Sequence, residues 1–130
     1  MKEKDKSKLW YDEENGVLWL EIFDKFETED VGSFINSAKG FTPEQRRYLS
    51  VKISSERGQI IPEKEGRKLL KDGAASLDFY KIAICGAKPA VRMFGRIAAT
   101  ALGRAKDTKF FATEEEALAW LKAEKEKESE

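Results

Sequence analysis

The 130-residue sequence predicts an α/β fold, with an N-terminal β-hairpin followed by βα repeats, a mixed five-stranded sheet and four flanking helices. Three observations carry this expectation. Asn15-Gly16 separates two aromatic-rich runs, and Asn-Gly supplies positive φ cheaply, which marks a hairpin turn. Residues 80–85, Tyr-Lys-Ile-Ala-Ile-Cys, form a nearly continuous apolar run, the pattern of a parallel strand covered by helices. From there to Leu121 the pattern changes as strand, helix, strand and helix, the alternation from which α/β sheets are built.

Each element follows from its own signal. Leu9-Trp10-Tyr11 and Val17-Leu18-Trp19-Leu20-Glu21-Ile22-Phe23 are the two strands of the hairpin, joined through Asp12-Glu13-Glu14-Asn15-Gly16. Thr28 is placed to cap a first helix, because Glu29 and Asp30 follow in the first turn and Val31, Phe34, Ile35 and Ala38 recur at helical spacing before Gly40. Residues 48–53 alternate, with Leu49, Val51 and Ile53 on one side and Ser50 and Lys52 on the other, which predicts a strand near a sheet edge or a wet surface. Gly66, Leu69, Leu70, Gly73, Ala74 and Leu77 give a second helix, entered near Pro62, with a narrow face directed at the sheet. Ala90, Met93, Phe94, Ile97, Ala98, Ala101 and Leu102 give a third, and Lys109-Phe110-Phe111 is a short strand. Thr113-Glu114-Glu115-Glu116 is a capping box, in which Thr113 and Glu116 satisfy each other's backbone amides, so Thr113 opens a fourth helix.

Composition bounds what this domain can do. A chain of this length with 41% hydrophobic residues builds one core rather than two. Residues 9–124 are expected to form the single domain, with charged tails at 1–8 and 125–130. Lysine plus arginine equal aspartate plus glutamate at 24 each, so no global field favours nucleic acid, and neither a nucleic-acid partner nor membrane insertion is expected. The lysine-rich start lacks a signal-peptide apolar region, and the single cysteine, Cys85, forms no internal disulfide framework; a cytoplasmic protein is expected.

The hairpin start, Lys81-Ile82-Ala83-Ile84-Cys85-Gly86, the helix entry Pro89-Ala90-Val91-Arg92-Met93 and above all Lys109-Phe110-Phe111-Ala112-Thr113-Glu114-Glu115-Glu116-Ala117-Leu118-Ala119-Trp120-Leu121 resemble the SpoIIAA-like (STAS/SEC14-like) family of small bacterial domains. The resemblance covers most of the chain, from Trp10 to Leu121. It implies a SpoIIAA-like (STAS-like) fold, a superhelical βα arrangement shared with anti-sigma-factor antagonists and more distantly with lipid-carrying domains, and it implies no single activity. The regulatory branch of that family carries a serine, phosphorylated by a partner kinase, at the start of the helix after the third strand. The corresponding region here is Val51-Lys52-Ile53-Ser54-Ser55-Glu56-Arg57-Gly58, which offers Ser54 and Ser55, lacks the usual preceding acidic residue and inserts Gln59-Ile60-Ile61-Pro62. A phosphate on either serine would add about two negative charges, able to recruit Arg57 or Lys52 or to repel an acidic partner. The competing reading is that both serines satisfy backbone groups in a loop.

A second candidate site is the turn Gly86-Ala87-Lys88-Pro89 and the helix after it. Ligands of open α/β sheets sit beyond the carboxyl ends of strands, where helix N-termini present amides to anions. Gly86, Lys88, Arg92 and Arg96 are therefore candidate ligands for an anionic small molecule, the two arginines lying one helical turn apart. The alternative is a tight turn followed by a solvated basic stripe. No Walker or GxGxxG motif is present.

Enzymatic and metal-binding readings find little support. The chain has no histidine, the commonest general base and transition-metal ligand, so no catalytic residue, metal site or cofactor is expected. Cys85, in an apolar strand, reads as a buried and inert thiol. The carboxylate clusters fall at a turn and at helix starts, where the macrodipole accounts for them. The expectation is a non-enzymatic regulatory or protein-interaction module with a protein partner. The runner-up is a SEC14-like protein holding a lipid or other hydrophobic ligand among its many aromatic side chains. Exposed apolar groups around Phe23, Phe26, Met93 and Phe94 would additionally suit a homodimer.

Overall fold

The computed structural model describes residues 7–24, 27–54, 64–86 and 105–129. Its elements are β1 (Ser7–Asp12), β2 (Val17–Ile22), α1 (Thr28–Ala38), a one-turn helix α2 (Pro43–Arg46), β3 (Tyr48–Ile53), α3 (Lys64–Leu77), β4 (Lys81–Cys85), β5 (Thr108–Phe111) and α4 (Glu114–Ser129), with a 3-10 turn at Ala105–Asp107. The five strands lie in the order β1-β2-β3-β4-β5, β1 antiparallel to β2 and every later pair parallel. The class is therefore α/β with a mixed five-stranded sheet, and four helices are described. They are not the four expected: α2 is additional, and the helix expected over residues 90–102 lies outside the described residues.

Helices cover both faces of the sheet. On one, Leu18, Leu20, Ile22, Leu49, Val51, Ile53 and Ile84 pack with Val31, Phe34, Ile35 and Ala38 of α1 and with Leu77 at the end of α3. On the other, Val17, Trp19, Tyr48, Ala83 and Cys85 pack beneath Ala117 and Leu121 of α4. This second layer corrects the expected place of β3. It is the middle strand, and the alternate face that looks wet in the sequence is closed by α4, so that Ser50 is fully buried. Ala83 and Ala117 are both fully buried, and small side chains let a helix approach the sheet closely.

Three local details refine or differ from the sequence expectations. In the hairpin, Gly16 takes positive φ (64°) and Asn15 does not. The Asp12 carboxylate instead holds the turn, accepting from Asn15 N–H at 3.2 Å, Asn15 Nδ2 at 2.7 Å and Trp19 Nε1 at 3.2 Å. These donors, with the Asn15 side chain foremost, hold the Asp12 carboxyl below its ordinary pKa. Glu27, not Thr28, occupies the N-cap of α1, and Asp30 reaches back to its N–H at 2.8 Å. The unforeseen α2 has a legible origin: Thr42-Pro43-Glu44-Gln45 is a capping box with proline in the first turn, Thr42 Oγ1 accepting from Gln45 N–H at 3.2 Å and Gln45 Oε1 from Thr42 N–H at 2.8 Å.

In α3, Gly66, Gly73 and Leu77 are buried, but Leu69 is 40% exposed, and the helix packs mainly on α1 rather than, as expected, on the sheet. A Cβ on Gly73 would lie 2.7 Å from Ile35 Cγ1. Regular structure reaches into both charged ends. β1 begins at Ser7, and α4 continues to Ser129. Its charged end docks across the opposite end of the sheet: Lys125 Nζ donates to the Asn15 and Gly16 carbonyls at 2.6 and 2.7 Å, Glu128 pairs with Arg47, and Glu124 lies 3.6 Å from Lys81.

Candidate functional site

The carboxyl ends of the parallel strands bring several of the described polar residues together. Strand register places Lys8, Glu21, Lys52, Cys85 and Phe111 side by side across β1 to β5, so two cations and a carboxylate alternate at the edge of a largely apolar sheet. Lys52 pairs with Glu114, which heads α4. That hydrogen bond raises the Lys52 pKa above its ordinary value against the opposing effect of burial, with the Glu114 and Glu21 charges adding to it. Glu114 also sits where the helix dipole favours a negative group.

Ser54 closes β3 at this rim. Its N–H donates to the Ile22 carbonyl at 3.1 Å, continuing the pairing with β2, and its hydroxyl donates to the Glu21 carboxylate. The residue is exposed. Gly86 stands beside it at the end of β4, with φ of 76°. A Cβ there would lie 2.8 Å from the Ile53 carbonyl oxygen, so the backbone of Gly86 fits against the peptide that joins Ile53 to Ser54.

Two regions that the sequence nominates separately therefore meet, Ser54 after β3 and Gly86 after β4. Of the remaining candidates, Ser55, Lys88, Arg92 and Arg96 lie outside the described residues, as do Phe26, Met93 and Phe94. Phe23 is 37% exposed. Sequence reasoning misses Glu21 and Glu114 as members of the rim, although Glu21 is the only charged residue in the run 17–23, and Lys52 interrupts the next strand in the same way.

Cys85 lies under α4 and is 1% exposed, and burial, reinforced by the nearby Glu114 charge, pushes its thiol up to about 11. A thiol with that pKa is almost wholly protonated near neutrality, which suits a packing role. Among the described residues no group of acidic or cysteine side chains is arranged to hold a metal ion. Among them, too, no helix is long and apolar enough to cross a membrane. The chain matches no protein-family model and no curated protein.

Chemically, the rim offers an accessible hydroxyl already bonded to a carboxylate, with an ammonium group between that carboxylate and a second one. A phosphoryl group on Ser54 would remove the hydroxyl proton that Glu21 accepts and set a dianion against it, while Lys52 would gain a competing anionic partner.

Proposed function

We propose that the chain is a non-enzymatic, STAS-like regulatory and protein-interaction module, whose partner-binding surface is the rim around Ser54 and Gly86, and whose binding is switched by phosphorylation of Ser54. The observation that carries this reading is the exposed Ser54 hydroxyl, immediately after the middle parallel strand and hydrogen-bonded to Glu21. The sheet supports it, because consecutive strands laid side by side, with helices between β2, β3 and β4, are what a βα superhelix produces. Fold alone names no activity, so the assignment rests on the rim.

The test is affinity capture from the native cell with wild type, Ser54→Ala and Ser54→Asp as bait, with mass spectrometry of captured proteins and of the bait's own phosphosites. The reading expects phosphate on Ser54 and a partner retained by Ser54→Ala but lost with Ser54→Asp. The same partners with all three baits, together with an unmodified Ser54, would sink it. The anionic small molecule expected at Gly86, Lys88, Arg92 and Arg96 belongs to the same proposal, and a phosphate-dependent thermal shift abolished by combining Arg92→Ala with Arg96→Ala is its signature.

A further inference from the structure

The outer side of α3 carries a row of cations, and three of them, all lysines, pair with nothing among the described residues. Lys64, Arg67, Lys68 and Lys71 are all exposed and recur at three- and four-residue spacing, so they form one row opposite the buried Gly66, Gly73 and Leu77. The row is about 10 Å long at the helical rise. Among the described residues Lys64, Lys68 and Lys71 make no ion pair.

Local physics opposes this arrangement. Lys64 with Lys68, and Arg67 with Lys71, are like-charge pairs four residues apart, each destabilising the helix slightly, and of the three lysines only Lys68 has carboxylates at compensating spacing, Glu65 and Asp72. Lys64 and Arg67 also fall in the first described turn, where the helix dipole disfavours cations, while the last turn, where it would favour them, has none.

We propose that this row is a docking surface for an acidic protein segment, a helix presenting a single row of carboxylates. It deepens the interaction-module reading and rests on it, but at a surface separate from Ser54. Charge complementarity selects an acidic occupant, and two features favour a narrow one over a broad polyanion. Glu65 and Asp72, seven residues apart and both exposed, line one flank of the row and would repel a phosphate backbone or an anionic lipid surface spread across it. The formal net charge of zero supplies no long-range attraction for such a polyanion. A facing helix with carboxylates at three- and four-residue spacing matches the row in pitch and length.

The experiment uses the full chain and three probes at low salt: a helical peptide with one row of glutamates at that spacing, phosphatidylserine vesicles and a short DNA duplex. Binding to the peptide is expected, weakened roughly tenfold by combining Lys64→Gln, Lys68→Gln and Lys71→Gln and more by the matching glutamate variant. The glutamine variant should keep its thermal stability, since it relieves the Lys64–Lys68 and Arg67–Lys71 pairs while giving up the attraction of Lys68 to Glu65 and Asp72. Ser54→Asp should bind the peptide as wild type does, which separates a failure here from a failure of the Ser54 switch. No peptide binding, undiminished binding by both lysine variants, or tighter binding to vesicles or duplex than to the peptide would overturn the proposal.

Discussion

Gly86 and Ile53 meet backbone to backbone: a Cβ on Gly86 would lie 2.8 Å from the Ile53 carbonyl oxygen, and Gly86 holds φ of 76° to make the approach. The ends of the two strands that border the candidate site are thereby held together. Gly86→Ala is expected to cost about 2–4 kcal/mol, since an L-residue in the left-handed region loses roughly 1–2 and the carbonyl cannot yield without moving β3. Gly16→Ala, made like Gly86→Ala in a Lys125→Met background, provides the comparison, because Gly16 also has positive φ (64°) and the group its Cβ would meet is the end of the Lys125 side chain. Urea denaturation should show the larger loss at Gly86; equal losses would mean that backbone conformation alone, and not the contact with Ile53, sets the cost.

The close approach of α1 and α3 makes a second prediction, one of sign. In an ordinary helix Gly→Ala stabilises by up to about 1 kcal/mol. At Gly73 the new Cβ would meet Ile35, with Cγ1 at 2.7 Å and Cδ1 closer still, and Ile35 is itself a buried core residue. Gly73→Ala should therefore destabilise by about 1–3 kcal/mol. Ile35→Val removes the methyl group nearest the clash, and the double variant should lose less than the two single variants together.

Cys85 gives the fold an alkaline weakness. Burial raises the thiol from 9.0 in its ordinary state to about 11 in the folded chain, so between those values the folded state holds a proton that the unfolded state has released. The stabilisation is complete below pH 9.0 and is lost as pH rises toward about 11. Wild type should lose up to roughly 2 kcal/mol more than Cys85→Ala across that window, read as the difference in urea midpoints at the two pH values. In the native state near neutral pH the thiol should react with an aromatic disulfide reagent only as fast as the chain unfolds.

The charged end of α4 is structural, and its removal should show it. Deleting residues 125–130 takes away the Lys125 hydrogen bonds to the Asn15 and Gly16 carbonyls and the Arg47 pair with Glu128. A loss of about 1–2 kcal/mol is expected, with most of it from Lys125, because exposed ion pairs contribute only a few tenths each. Lys125→Met should reproduce most of that loss and Glu128→Gln little of it, measured by thermal denaturation at low and high salt.

Much of the candidate site is legible in the sequence, for a physical reason. Ser54 follows an alternating run and precedes a helix, and Gly86 ends an apolar one, so strand periodicity alone puts both at strand ends. Their meeting is not legible there, because it depends on β3 and β4 being neighbours and parallel with Tyr48 opposite Lys81. Glu21 and Glu114 escape notice because one is a single polar position in a strand and the other already has a role at a helix start, and only strand register and the docking of α4 bring them to Ser54 and Lys52. The place of β3 is misread from the sequence because alternation reports the polarity of a face and not what covers it; Ser50 looks solvent-directed in one dimension and is buried by α4, a helix far along the chain that begins at Glu114.

By itself, the sequence determined what short-range forces determine. The period of the apolar residues set the strands and the longer helices of the described chain, the Thr113–Glu116 capping box began the last helix, and the glycine after Asn15 turned the hairpin. Tertiary structure decided what depends on contacts between distant segments: the middle position of β3, the two helical layers, the docking of the charged end of α4, and the gathering of Glu21, Lys52, Ser54 and Gly86 at one rim. Propensities and caps act over a few residues, whereas burial, register and ion pairing depend on which parts of the chain pack against one another.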